Sequence, residues 1–253
     1  PSETQIYVEV PAGAFKNSSN QGNDAITGNS AWSFTTEDVT DPTVVLSTTT
    51  SSPTNTPFTV VATFSEAVTN FDLTDITVTN GAASVFNQLT TLTYSVLITP
   101  ALDGEVTVSI LAGALQDASS NSNDNVASNV LNLTYDSTKP EITITTDATD
   151  PTNTGFTATF TITEELADFE ATDVVLVNAS ISNFVMVNST LYTATITPSG
   201  DGIVSIEIPE DTLEDNSNNG NVAANYSITY DATRPFVSSA TTPAASPTNG
   251  PFV

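Results

Sequence analysis

Two loops carry the residues best suited to chemistry. One reads Asp117-Ala-Ser-Ser-Asn121-Ser-Asn123-Asp124 and the other Asp215-Asn-Ser-Asn-Asn219-Gly-Asn221. Each sets a carboxylate and two amide oxygens at positions i, i+4 and i+6. Oxygen donors in that number suit a hard cation taking about six to eight ligands at roughly 2.3–2.6 Å, which points to calcium. An earlier copy has Asn17, Gln21 and Asn23 and so lacks the charge at its first position. Asp, Asn, Ser and Gly are also the ordinary residues of turns, so plain turn chemistry is the competing reading.

Composition removes other chemistries. The 253-residue chain has no His and no Cys, hence no imidazole base and no thiol nucleophile. Paired carboxylates can hydrolyse glycosides, but each candidate pair here recurs in a second copy, as architecture does and an active site does not. We expect no enzyme. Three basic residues (Lys16, Lys139, Arg234) stand against 29 acidic ones, for a net charge of −26. Such a chain cannot neutralise phosphates, so nucleic acid and anionic membrane surfaces are excluded as partners, while cations are favoured. No apolar run approaches the roughly 18 residues of a membrane span, so no membrane insertion is expected in this segment. The chain opens on Pro1 and stops at Val253 in mid-pattern, which reads as an internal slice of something longer.

The elements that must position these loops follow from a repeat. Asp-x-Thr-x-Pro occurs at Asp38–Pro42, Asp136–Pro140 and Asp231–Pro235, with the prolines 98 and 95 residues apart. Pro-Thr-Asn recurs at Pro53, Pro151 and Pro247, spaced 98 and 96. Two markers with one period define tandem units. Within each unit apolar residues alternate with Thr and Ser: Phe58, Val60, Ala62 and Phe64 in one, Phe156, Ala158, Phe160 and Ile162 in the next. Period two places these sets on the inner face of a half-buried strand. Phe58, Phe64, Tyr94, Val108, Phe156, Phe160, Ile196 and Ile206 are accordingly expected in the core, and Trp32 as a core residue of its strand. No segment sustains a 3.6-residue period.

About seven short strands per unit, with turns every eight to twelve residues, is the sequence form of an Ig-like sandwich. The fold class is therefore all-β: tandem Ig-like antiparallel β-sandwich repeats arranged end to end. Residues 42–138 and 139–234 form complete repeats. Residues 1–41 carry the C-terminal strands of a preceding repeat, and 235–253 the start of a following one.

In this topology the loop after the second strand and the loop before the last strand share the end at which the chain enters. That end gathers Asp38, Asp41, Glu66, Asp72, Asp75, Asp117, Asn121 and Asn123 in the first repeat. In the second it gathers Asp136, Glu164, Glu170, Asp173, Asp215, Asn219 and Asn221. Converging carboxylates repel unless a cation sits among them.

The sequence resembles the bacterial Ig-like repeats of large secreted cell-surface adhesins. The resemblance rests on Phe64-Ser-Glu66-Ala-Val68, the Phe71-x-x-x-Asp75 step, Asn80-Gly81, Pro100-x-x-Asp103-Gly104 and the Asp-x-x-x-Asn-x-Asn loop. The second copy keeps Glu164, Phe169, Asp173, Asn178, Pro198, Asp201 and Gly202 but has Ala179 where Gly81 stood. The likeness implies an extracellular stalk on a bacterial surface, with junctions stiffened by calcium as in cadherin-like arrays. Its partners would be neighbouring repeats of the same chain, or other copies in a filament. A subunit of a self-assembling filament, sheath or surface layer, and an accessory binding module of a secreted enzyme, are the alternatives.

Overall fold

The computed structural model describes residues 4–119 and 121–239. It divides into two compact units, the break falling after Thr138.

In the first unit the strands are β1 (Gln5–Tyr7), β2 (Ser33–Thr35), β3 (Val44–Ser47), β4 (Phe58–Phe64), β5 (Val68–Thr69), β6 (Ile76–Thr79), β7 (Gly81–Gln88), β8 (Thr93–Pro100), β9 (Gly104–Ile110), β10 (Gln116–Asp117) and β11 (Leu131–Tyr135). One sheet runs β3-β4-β8-β7 and the other β11-β9-β6, all antiparallel, with β5 and β10 as a short extra ladder. Alternation decides which side chains fill the space between the sheets. Phe58, Val60, Ala62 and Phe64 of β4 are buried and Thr59 and Thr63 exposed, because successive side chains leave a strand on opposite faces. Val106, Val108 and Ile110 of β9 close the core from the other sheet, each at most 1% exposed. Burying each such side chain contributes roughly 1.5–3 kcal/mol. Phe64, Phe71, Phe86 and Tyr94 add an aromatic cluster with ring centroids 5.0–5.8 Å apart.

The second unit repeats the plan with β12 (Ile142–Thr146), β13 (Phe156–Ile162), β14 (Val175–Val177), β15 (Ala179–Asn188), β16 (Leu191–Pro198), β17 (Gly202–Ile208) and β18 (Ala224–Tyr230). Its sheets are β12-β13-β16-β15 and β14-β17-β18. Phe156, Phe160, Ile196 and Ile206 are buried, so the inward register read from the alternation holds in both units. A one-residue slip would have turned each set outward. The described residues contain no helix beyond the three-residue 3-10 turns Leu73–Asp75 and Ala171–Asp173.

Before β3 the described residues supply the ladder of β1 against β2, with Ile6 opposite Phe34, and the single bridges of Val10 with Ile26 and Lys16 with Gly22. Ile6, Phe15, Trp32 and Phe34 are all exposed there. Trp32 is thus no core residue: two strands have no facing sheet within the described residues. Residues 235–239 form no strand, and the expected opening strand after them falls at 240–253, outside the described residues.

Both units break the ladder at a matching place on their edge strands, and β15 breaks it a second time after Met186. Register shifts follow Ser84 in β7 and Ser182 in β15, and the bulged residues Val85 and Asn183 have φ of 49° and 48°. The left-handed region suits Asn and penalises a β-branched residue by about 1–2 kcal/mol. Val85 is 62% exposed and has little burial to lose. Val85→Asn should therefore stabilise the first repeat by about 1 kcal/mol, read as a rise of several degrees in melting temperature. No rise would mean that the bulge carries no strain.

Candidate metal centre

The first cluster is assembled by local pairing. β5 runs against β10 with Val68 opposite Asp117, which brings Glu66, two residues earlier, to the same end. The entering chain is tied down by the loop before β11. Asn121 Nδ2 and Asn123 Nδ2 both donate to the carbonyl of Asp38, the latter at 3.1 Å, and Asn123 Nδ2 also reaches the Thr40 carbonyl at 3.3 Å. As a result one carboxylate oxygen each from Asp38, Glu66 and Asp117 lie within 4.8 Å of one another. Asp38 and Asp117 are buried and Glu66 is half-buried. At that separation each pair of ionised groups repels by about 3.5 kcal/mol at an effective dielectric constant of 20. Three such oxygens are the donor chemistry of a hard divalent cation.

Asp117 is held in its charged form. Burial pushes its carboxyl up, but hydrogen bonds from the side chains of Ser119 and Asn123 and from their backbone N–H groups outweigh it, leaving the pKa below the ordinary value. Ser119 Oγ lies 2.6 Å and Ser119 N 3.1 Å from Oδ1, with Asn123 N at 3.0 Å from Oδ1 and Asn123 Nδ2 at 3.0 Å from Oδ2.

Several expected ligands do other work. Asp41 is exposed and outside the trio. Asp72 and Asp75 cap their own 3-10 turn: Thr74 N donates to Asp72 Oδ1 at 2.7 Å, and Asp72 N to Asp75 Oδ2 at 2.9 Å. Glu170 N likewise donates to Asp173 Oδ2 at 2.8 Å. A 3-10 turn needs acceptors for its first N–H groups, and these carboxylates supply them. Asn121 and Asn123 present their amide N–H groups to the entering backbone and not their oxygens to the trio.

In the second unit Leu166 bridges to Asp215, so Glu164 and Asp215 stand in the relation of Glu66 and Asp117. Asp215 is buried and its Oδ1 accepts from Ser217 N at 2.7 Å and Asn219 N at 2.9 Å, with Asn219 Nδ2 at 2.9 Å from Oδ2. Asn219 therefore matches Asn123. Asp136 ends the first unit, where its N–H donates to the Thr54 carbonyl at 3.0 Å and its carboxylate accepts from Thr138 N at 3.1 Å. Asp38 makes the same turn with Thr40 N at 3.0 Å, and Asp231 with Thr233 N at 3.0 Å. The repeated Asp-x-Thr is thus an Asx turn. Its Thr is gripped by a second repeated carboxylate: Asp103 accepts from Thr138 Oγ1 and Asp201 from Thr233 Oγ1, and these bonds hold both pKa values down.

Asn221 is misassigned as a ligand. It is fully buried, its Oδ1 accepts from Thr212 N at 2.9 Å and Leu213 N at 2.8 Å, and its Nδ2 donates to the carbonyls of Pro209 and Val222, each at 2.9 Å. Its counterpart is Asn125, whose Oδ1 accepts from Leu115 N at 3.0 Å and whose Nδ2 reaches the carbonyls of Leu111 and Val126 at 2.9 Å. Asn23 makes the same set, with Phe15 N at 2.7 Å. The first repeat's loop is two residues longer, so matching the copies by i+6 shifts the register. The sequence signal was the tripeptide Asn125-Val-Ala against Asn221-Val-Ala.

The sequence matches the family of bacterial Ig-like domains twice, over residues 38–135 and 136–232. The chain belongs to that family. Each Ig-like copy so matched begins at the aspartate that opens the Asx turn, Asp38 or Asp136, so each copy contains its own Asp, Glu and Asp at one spacing. Among solved structures the Ig-like chain is similar to Yersinia pseudotuberculosis InvD, at 18% identity and TM-score 0.34, covering 79% of this chain and 60% of that one. It is also similar to invasin, a bacterial integrin-binding protein, at 14% identity and TM-score 0.43, covering 82% and 44%. A third is the Yersinia pseudotuberculosis adhesin InvE, at 13% identity and TM-score 0.26, covering 75% and 58%. The chain thus spans between 44% and 60% of the lengths of these proteins. No curated protein sequence matches it.

Proposed function

We propose that this chain is a non-catalytic stalk segment of a bacterial cell-surface adhesin, its Ig-like repeats stiffened where the chain enters by calcium. The observation that carries the calcium reading is the trio Asp38, Glu66 and Asp117. Membership in the bacterial Ig-like family supports the extracellular stalk, since a repeating β-sandwich supplies length and no catalytic group. Glu66 and Asp117 recur 98 positions on as Glu164 and Asp215, so the second repeat is proposed to bind the ion through these two carboxylates. Calcium would supply positive charge and fix the entering backbone, to which Asn121 and Asn123 already bond.

The test is isothermal titration with calcium. Saturable binding is expected at a dissociation constant of about 10⁻⁴–10⁻³ M, the range of extracellular modules. Glu66→Gln with Asp117→Asn should remove the first repeat's share of the heat and leave the second's. No calcium heat at millimolar concentrations would reduce both loops to turns.

A further inference from the structure

The two repeats are built alike, so the places where the second departs from the first mark what it does beyond architecture. Three departures meet at one cavity of about 330 Å³ in the second unit. Its lining includes Glu165, Asp168, Phe169, Phe184, Met186 and Tyr192. The three aromatic rings are repeat architecture, matching Phe71, Phe86 and Tyr94. The other three residues are not: where the second repeat has Glu165, Asp168 and Met186, the first has Ala67, Asn70 and Gln88.

The exchange at Met186 changes the state of the tyrosine. In the first repeat Gln88 lies directly across from Tyr94 and its Nε2 donates to the Tyr94 hydroxyl at 3.1 Å. In the second, Met186 lies directly across from Tyr192 and offers no donor. Among the described residues none hydrogen-bonds to the Tyr192 hydroxyl, although the residue is only 5% exposed and lines the cavity. Its oxygen is not enclosed, so a group that enters the cavity can reach it and take the place of Gln88. Burial and then the charges of Glu165 and Asp168 hold its pKa above the ordinary value, so it stays a neutral phenol facing negative potential.

We propose that this cavity is a binding site for the cationic side chain, arginine or lysine, of a protein partner. Aromatic faces attract an organic cation, and a guanidinium stacks on them with little loss of hydration. Glu165 and Asp168 at the mouth pair with its charge, the Tyr192 oxygen accepts one of its N–H groups, and the Met186 thioether packs against its apolar stem. The chain carries a net charge of −26 with three basic residues, so the cation comes from a partner of opposite charge and not from a second copy of this chain. This site stands apart from the calcium reading, which concerns Glu164 and not its neighbours.

The chain's single methionine is Met186, which gives a direct test. In the whole chain, labelled with ¹³C in the methionine methyl group, one signal reports on the cavity. Titration with Nα-acetyl-argininamide, at constant ionic strength and with millimolar calcium throughout, should move that signal saturably. Nα-acetyl-alaninamide should leave it unmoved. Glu165→Gln with Asp168→Asn should weaken the binding at least about fivefold, the loss expected for two partly exposed charge pairs. That substitution lies on exposed positions, and an unchanged melting temperature checks that the repeat still folds. A second variant, Met186→Gln, restores the first repeat's cap on the tyrosine and should also lose binding, read by the Tyr192 ring signals. An immobile methyl signal up to about 100 mM arginine probe, an equal shift with the alanine probe, or a shift unaffected by the paired substitution would each overturn the proposal.

Discussion

Replacing Asn221 with Asp should come close to unfolding the second repeat at neutral pH. The side chain is 0% exposed and closes four backbone groups at once: the N–H groups of Thr212 and Leu213 and the carbonyls of Pro209 and Val222. A carboxylate keeps the two acceptor bonds but turns an oxygen toward two carbonyl oxygens, in a place with no water to screen it. Alanine is the milder change: it leaves the buried Leu213 N–H and three partly accessible backbone groups without their partner, for about 2–4 kcal/mol. Either loss is a large part of the roughly 5–15 kcal/mol that holds a domain together. The Asp variant has a signature that a packing defect lacks. Its folded pKa would be raised above the unfolded value of about 3.9, so the penalty from its charge is full above that raised pKa, shrinks as pH falls between the two values and is gone below about 3.9. Urea unfolding of Asn221→Asp at pH 7 and pH 3.5, each against wild type at the same pH, measures this. A penalty under 1 kcal/mol at pH 7, or one that grows at low pH, would show that the asparagine is not the loop's staple.

What could be read from the sequence was set by periodicity, and what could not was set by side-chain partnership. The alternation of Phe58, Val60, Ala62 and Phe64 has one physical solution, an inner strand face, and the structure has it. Asp38, Glu66 and Asp117, far apart in the chain, do meet in space. Asp72, Asp75, Glu170 and Asp173 were legible as acids near the right end but not as caps, because chain position does not say which way a carboxylate turns. Asn221 failed for a different reason. A loop two residues longer in one copy than in the other moves a structural asparagine into the slot of a ligand, and only its hydrogen bonds tell the two apart. Trp32 is exposed because β1 and β2 have no facing sheet within the described residues.

The sharpest test of the calcium reading is a reversal of sign. In saturating calcium, Asp117→Asn and Glu66→Gln should each destabilise the first repeat, since a cation that binds only the folded form contributes RT ln(1 + [L]/Kd), about 2.7 kcal/mol at a hundredfold excess. With a chelator at matched ionic strength the same variants should be as stable as wild type or more so. The asparagine keeps an oxygen for the N–H groups of Ser119 and Asn123, while one of three mutually repelling charges within 4.8 Å is gone. Wild type itself should lose roughly 10–20 °C in melting temperature on chelation, since each kcal/mol shifts the midpoint of a domain of this size by several degrees. The second repeat should lose more than the first. Residues 42–139 hold eight acidic residues against Lys139, a net of −7, whereas 140–234 hold fifteen against Arg234, a net of −14. Self-repulsion is larger there, and the compact state leans more on the ion. Glu105→Gln serves as the control, an exposed acid outside the trio that should respond alike with and without calcium. Variants that destabilise equally in calcium and in chelator would assign the trio to turn structure, and a wild-type melting curve indifferent to the chelator would remove calcium from both repeats.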